Sequence, residues 1–223
     1  MSPLVEGVQE RFAPGEMSPR WVQLAVGRAR VELGERLRLV VSEARAGQLT
    51  LAQIDDGTAR PRERYLWRPP LIVEARLRFS HPAGRLLGTA GFGLWNNPAP
   101  LWSARMEESP RWLWFCYASG QGEGLQAAVA TPGLSSLWRP SARERQAPVR
   151  AALDEWHSYR LAWLASRALC QVDGRTVLET TPAPAPPLAL VAWMGNDRLG
   201  GAGSEHLAIV EPQWMEIEAI TLA

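Results

Sequence analysis

The chain has 223 residues, 46% hydrophobic and 21% charged, with a formal net charge of +1. That is enough apolar material for a sizeable core in an all-β chain of one domain. It is too balanced in charge for an electrostatic grip on nucleic acid or an anionic membrane, so neither partner is expected.

Strand-like runs follow in chain order at Arg36–Ser42, Leu49–Ile54, Leu71–Ser80, Thr89–Trp95, Trp112–Ala118 and Leu125–Thr131. Ser141–Glu155, rich in Ala, Arg and Glu, reads as an excursion loop with a short helix broken by Pro148. Strands resume at Tyr159–Leu164, Ala168–Val172, Thr176–Thr180, Leu188–Met194 and Trp214–Leu222, with Gly200–Gly203 as a flexible loop. Turn signals punctuate these runs, above all Asp173-Gly174, the pair that suits a tight hairpin. Many short strands with few helices predict a sandwich or barrel. With no internal repeat or linker, residues 1–223 are assigned to one domain. The opening MSPLVEGVQERF lacks a cationic leader followed by an apolar core, and a cytoplasmic protein is expected. No apolar run is long enough to span a bilayer. Cys116 and Cys170 sit in apolar, strand-like stretches and read as buried free thiols. No Cys/His cluster suggests zinc, and no Asp/Asn-rich loop suggests calcium, so no cofactor or metal site is predicted.

Several segments, in order, resemble glycoside hydrolase family 16, within the concanavalin A-like lectin/glucanase superfamily. They are the Val31 to Leu39 run, Val73-Glu74-Ala75-Arg76-Leu77-Arg78-Phe79, and Gly91-Phe92-Gly93-Leu94-Trp95-Asn96. The most specific is Trp156-His157-Ser158-Tyr159-Arg160-Leu161-Ala162-Trp163, followed by Val172-Asp173-Gly174 and, near the end, Trp214-Met215-Glu216-Ile217-Glu218. The resemblance implies a two-sheet antiparallel β-sandwich, the concanavalin A-like jelly roll. It implies a carbohydrate partner and a concave sheet lined by Trp95 and by one face of the Trp112–Trp114 strand.

The chemistry of that family needs two carboxyl groups about 5–5.5 Å apart. They are supplied by a Glu-x-Asp-x-Glu strand, whose alternation aims all three side chains into the cleft. The motif is absent here. The corresponding stretch reads Arg111-Trp112-Leu113-Trp114-Phe115-Cys116-Tyr117 and offers no carboxylate on either face. No catalytic residue is therefore assigned; were the protein an enzyme, the candidates would be Glu107, Glu108 and Glu123. Glu216 and Glu218 read as solvent-exposed acids on the outer sheet, Asp55-Asp56 as a turn, and His157 as a hydrogen-bonded structural histidine. Glu205 and His206, as sequence neighbours, point apart on a strand.

Eleven tryptophans remain to be explained. Aromatic rings flanked by polar groups form grooves for the flat C–H faces of sugars. The expected binding residues are Trp95, Asn96, Trp112 and Trp114, with Asn196 and Asp197 at the rim. Trp21, Trp156, Trp163 and Trp193 are expected in the core. The sequence favours a non-catalytic, lectin-like domain binding an oligo- or polysaccharide. The alternatives are a glycoside hydrolase with relocated acids and a structural or interaction module whose groove is filled.

Overall fold

The computed structural model describes residues 8–12, 17–58, 60–97, 110–120, 124–134, 140–200 and 203–223. In chain order the strands are β1 (Val8–Arg11), β2 (Val22–Val26), β3 (Arg30–Leu33), β4 (Leu37–Val41), β5 (Leu51–Asp55), β6 (Leu71–Phe79), β7 (Thr89–Trp95), β8 (Trp112–Ala118) and β9 (Leu125–Leu134). They continue as β10 (Pro140–Pro148), β11 (His157–Trp163), β12 (Ala168–Val172), β13 (Arg175–Thr180), β14 (Ala189–Gly195), β15 (Asp197–Gly200), β16 (Gly203–His206) and β17 (Gln213–Leu222). One sheet runs β13-β12-β11-β6-β17-β4-β3, with β1 added against β17. The other runs β10-β9-β8-β7-β14-β5-β2, and β15 and β16 form a separate hairpin. The large sheets are antiparallel throughout and form the expected β-sandwich.

Period-two alternation builds the interior. On β6, Leu71, Val73, Ala75, Leu77 and Phe79 are buried, while Glu74 and Arg76 between them are exposed. On β8, Leu113, Phe115 and Tyr117 point inward. The two sheets meet where Phe92 stacks on Phe115 at 5.7 Å between ring centroids. Tyr159, from the opposite sheet, meets both rings edge-on at 6.1 and 5.1 Å. Each such pair contributes about 0.5–1.5 kcal/mol beyond the area it buries.

Three polar contacts hold the framework. Asp56, fully buried at the end of β5, accepts hydrogen bonds from the Trp67 indole N–H at 2.6 Å and the Leu190 amide at 2.8 Å. Burial pushes its carboxyl up to about 6, despite those two donors. Asp173 (φ 48°) and Gly174 (φ 76°) make the predicted tight turn between β12 and β13, with both residues in the left-handed region. Asp173 also accepts from the Ser158 amide at 2.9 Å and lies 2.7 Å from His157 Nδ1, so His157 ties the β12–β13 turn to β11. A slight desolvation raises the Asp173 carboxyl, but these two partners outweigh it and hold it below its usual value. On the outer face of the β6/β17 sheet, Glu216 lies between Arg38 (2.8 Å) and Arg78 (2.9 Å). Trp156 is stacked by Arg36, Arg76 and Arg78, and Trp214 by Arg38 and Arg78.

Four expectations are corrected. Ser141–Pro148 lies within β10, paired along its length with β9, rather than in a short helix. Its Ala, Arg and Glu residues favour helix locally, but an edge strand tolerates such charges and pairing decides the outcome. Gly200 and Gly203 are paired residues of the β15–β16 hairpin rather than loop. Glu216 is not solvent-exposed: its side chain retains 3% of its accessibility under the two arginines. Trp156 belongs to the outer arginine ladder, not the core, whereas Trp21 and Trp163 are buried as expected.

Candidate functional site

The outer face of the β10-β9-β8-β7-β14 sheet carries an unusual concentration of indole rings. Because Leu113, Phe115 and Tyr117 point inward, β8 turns Trp112, Trp114 and Cys116 outward. Cross-strand pairing places Trp95 of β7 opposite Trp112 and Gly93 opposite Trp114. It also places Trp193 of β14 opposite Gly91. Trp112 and Trp114 stack at 4.7 Å with 14° between their planes. Trp95 meets Trp114 edge-on at 5.5 Å, and Trp193 lies 5.2 Å from Trp114 on its other side. All four rings are half-buried. Trp193, expected in the core, is therefore a member of this surface cluster.

Small residues on the same face make the cluster possible. A Cβ at Gly91 would stand 2.2 Å from the Phe115 carbonyl oxygen and 2.9 Å from Cη2 of Trp193. Only glycine lets β7 pass so close beneath the indole. Ala128 and Ala130 of β9 pair with Trp114 and Trp112 and are buried although they face outward.

β10 adds the acidic group that sequence reasoning missed. Glu144 pairs with Ala130, which pairs with Trp112, so all three side chains share one face. Partial desolvation raises the Glu144 carboxyl, and the nearby Trp112 indole N–H partly offsets this. Among the described residues, Trp112 Nε1 and Trp95 Nε1 are buried with no hydrogen-bond partner. The Glu144–Trp112 approach is therefore an electrostatic contact rather than a bond. The desolvating neighbours and the Glu144 charge also push the Cys116 thiol up to about 12. No periodicity marked Glu144, because β10 has no apolar alternation; only its register with β9 shows which way it faces.

The remaining candidates are placed as follows. Asn96 is buried and its Oδ1 accepts from the Arg111 amide at 3.0 Å. Asn196 is fully buried; its Oδ1 accepts from the Thr50 amide, and its Nδ2 donates to the Gln48 and Leu207 carbonyls. Both are turn locks committed to backbone, with no side chain to offer at the surface. Asp197 is buried 2.9 Å from His206 Nδ1, where desolvation raises its carboxyl against the lowering effect of that histidine. The Asp197–His206 pair ties β15 to β16. Glu107, Glu108 and Glu123 lie outside the described residues. Among the described residues no group of three or more His, Cys, Asp or Glu is placed to hold a metal ion.

On the Trp face of the sheet, Glu144 and Asp55 are the carboxylates carried by described strand residues. Five strand spacings separate β10 from β5, about 24 Å. Asp55 is also occupied by the amides of Gly57 and Thr58, the Thr58 hydroxyl and Gln53. The two cannot act together at the spacing a double displacement requires.

No protein-family profile matches the chain, and no curated protein matches it in sequence. Solved structures do match. A glycoside hydrolase family 16 endo-glucanase from Bacteroides ovatus aligns over 97% of this chain and 99% of its own, with a TM-score of 0.64 at 12% identity. The catalytic domain of an endo-1,3-beta-glucanase (laminarinase) from Thermotoga petrophila aligns over 96% and 95%, with a TM-score of 0.64 at 14% identity. The Crh5 transglycosylase aligns over 98% and 84%, with a TM-score of 0.62 at 14% identity. The fold is the concanavalin A-like jelly roll. In this jelly roll the outward positions of β8 hold two tryptophans and a cysteine.

Proposed function

We propose that the protein binds an oligo- or polysaccharide on the outer face of its β10-to-β14 sheet, without cleaving it. The observation that carries this reading is the contiguous tetrad of half-buried indoles, Trp95, Trp112, Trp114 and Trp193. Large aromatic rings presented together on a sheet face suit the apolar faces of sugar rings. The structural neighbours named for glucanase and transglycosylase activity support a carbohydrate ligand. The resemblance implies that this sheet is their cleft-bearing one. Against catalysis stand the uncharged outward positions of β8 and the separation of Glu144 from Asp55.

The test is a broad glycan array followed by an assay for new reducing ends. Binding without cleavage is expected, and alanine at Trp112 or Trp114 should weaken binding by about tenfold or more, as for a buried aromatic anchor. One observation favours a hydrolase instead: Glu144, a partly desolvated carboxyl on the same face as the tryptophans. Release of reducing ends would establish that second reading and make Glu144, Glu107, Glu108 and Glu123 the residues to substitute. Failure to bind any glycan would refute the carbohydrate reading and favour an interaction module.

A further inference from the structure

The charge pattern of the aromatic face bears on what kind of sugar it takes, provided that it binds sugars as proposed. The chain carries its basic charge entirely on arginine. Among the described residues, no arginine occupies an outward-facing position on β5, β7, β8, β9, β10 or β14. Arg143 and Arg145 flank Glu144 but alternate to the opposite face of β10. Arg111, one residue before β8, donates to the Pro186 carbonyl at 3.5 Å. Arg198, at the far end of the sheet, faces Glu205 at 4.0 Å. Of the two outward carboxylates on described strand residues, Asp55 is consumed by its own turn. Among the described strand residues, Glu144 therefore supplies the charge beside the indoles, on the face it shares with Ala130 and Trp112.

A carboxylate next to grouped indole faces is the chemistry that receives a cation. The ring quadrupoles attract positive charge over their faces, and the carboxylate completes the pairing. The same arrangement disfavours carboxylate- or sulfate-bearing sugars at the indoles, where the described strand residues place no outward-facing arginine. We infer that this face selects a glycan bearing free ammonium groups, a glucosamine-containing chain, with Glu144 as the specificity-determining residue. A neutral chain of the same linkage keeps the stacking and loses the ion pair; a uronate chain adds repulsion.

The experiment uses four oligomers of equal length and β-1,4 linkage: glucosamine, N-acetylglucosamine, glucose and a uronate. Each is titrated calorimetrically at low salt, at a pH between the carboxylate and amine titrations. The glucosamine oligomer should bind about three- to thirty-fold tighter than either neutral oligomer, the range expected for one exposed cation–π contact plus one exposed ion pair. The uronate oligomer should bind weakest. Glu144→Gln should lower the ratio of glucosamine to neutral affinity to the share left by the cation–π contact, and added salt should lower it progressively. Trp114→Ala should weaken all four. Equal affinity for charged and neutral oligomers, tighter uronate binding, or a ratio unmoved by Glu144→Gln would overturn the inference while leaving carbohydrate binding intact. Binding of none of the four would overturn both.

Discussion

Asp56 makes the folded state pH-dependent in a direction opposite to most carboxylates. Its carboxyl is completely buried, and burial raises it from 3.8 to about 6. Each pKa unit corresponds to 1.36 kcal/mol between the protonation states. A rise of about two units therefore makes the charged form cost about 3 kcal/mol of stability relative to the protonated form. Between 3.8 and about 6 the folded chain holds this proton more often than the unfolded chain does. Stability from this group is thus fully present below the unfolded pKa and falls as pH rises through the folded value, then levels off. For a chain of this size that loss is equivalent to about 6–12 °C in melting temperature. The assay is urea unfolding of the native protein and of Asp56→Asn in small pH steps from about 4 to about 7. Other carboxyls are also shifted, upward at Glu144 and Asp197 and downward at Asp173, and taking the difference between the two proteins cancels them. Wild type should lose about 3 kcal/mol relative to Asp56→Asn as pH rises. A flat difference, or one that favours wild type with rising pH, would refute the assignment of this titration to Asp56.

Trp67→Phe removes one of the two donors to the Asp56 carboxylate, so the same titration should move to higher pH. Gly91→Ala forces a Cβ against the Phe115 carbonyl at 2.2 Å and should destabilise by about 1–3 kcal/mol or more; Trp fluorescence should report displacement of Trp193. Glu216→Ala leaves Arg38 and Arg78 without their shared partner. Because both arginines remain partly solvated, the cost by denaturant unfolding should be about 1–3 kcal/mol rather than more. Cys116 and Cys170, both pushed up to about 12 by burial, should resist an alkylating reagent at neutral pH until the protein unfolds.

Local sequence was most informative where alternation was strong. Thr89–Trp95, Trp112–Ala118 and Ala168–Val172 are strands with the expected bounds, since short apolar, β-prone runs closed by turn signals suit a strand. Asp173-Gly174 likewise dictates its turn through backbone conformation alone. Alternation also told which β8 residues share a face, but not which face meets the opposite sheet, because both carry large apolar side chains. Packing decided that: Phe92, Phe115 and Tyr159 fill the interior, and Trp112 and Trp114 are left outside. Trp193 joined them through pairing of β14 with β7, distant in sequence, and Glu144 through its register on the neighbouring strand β9. Asn96 and Asn196 are buried and bonded to backbone groups, up to 148 positions away for Asn196, which no local stretch shows. The sequence by itself determined a strand-rich chain with eleven tryptophans and no Glu-x-Asp-x-Glu stretch. Which tryptophans face out, and which carboxylate stands beside them, was decided by strand register, which no local stretch of sequence encodes.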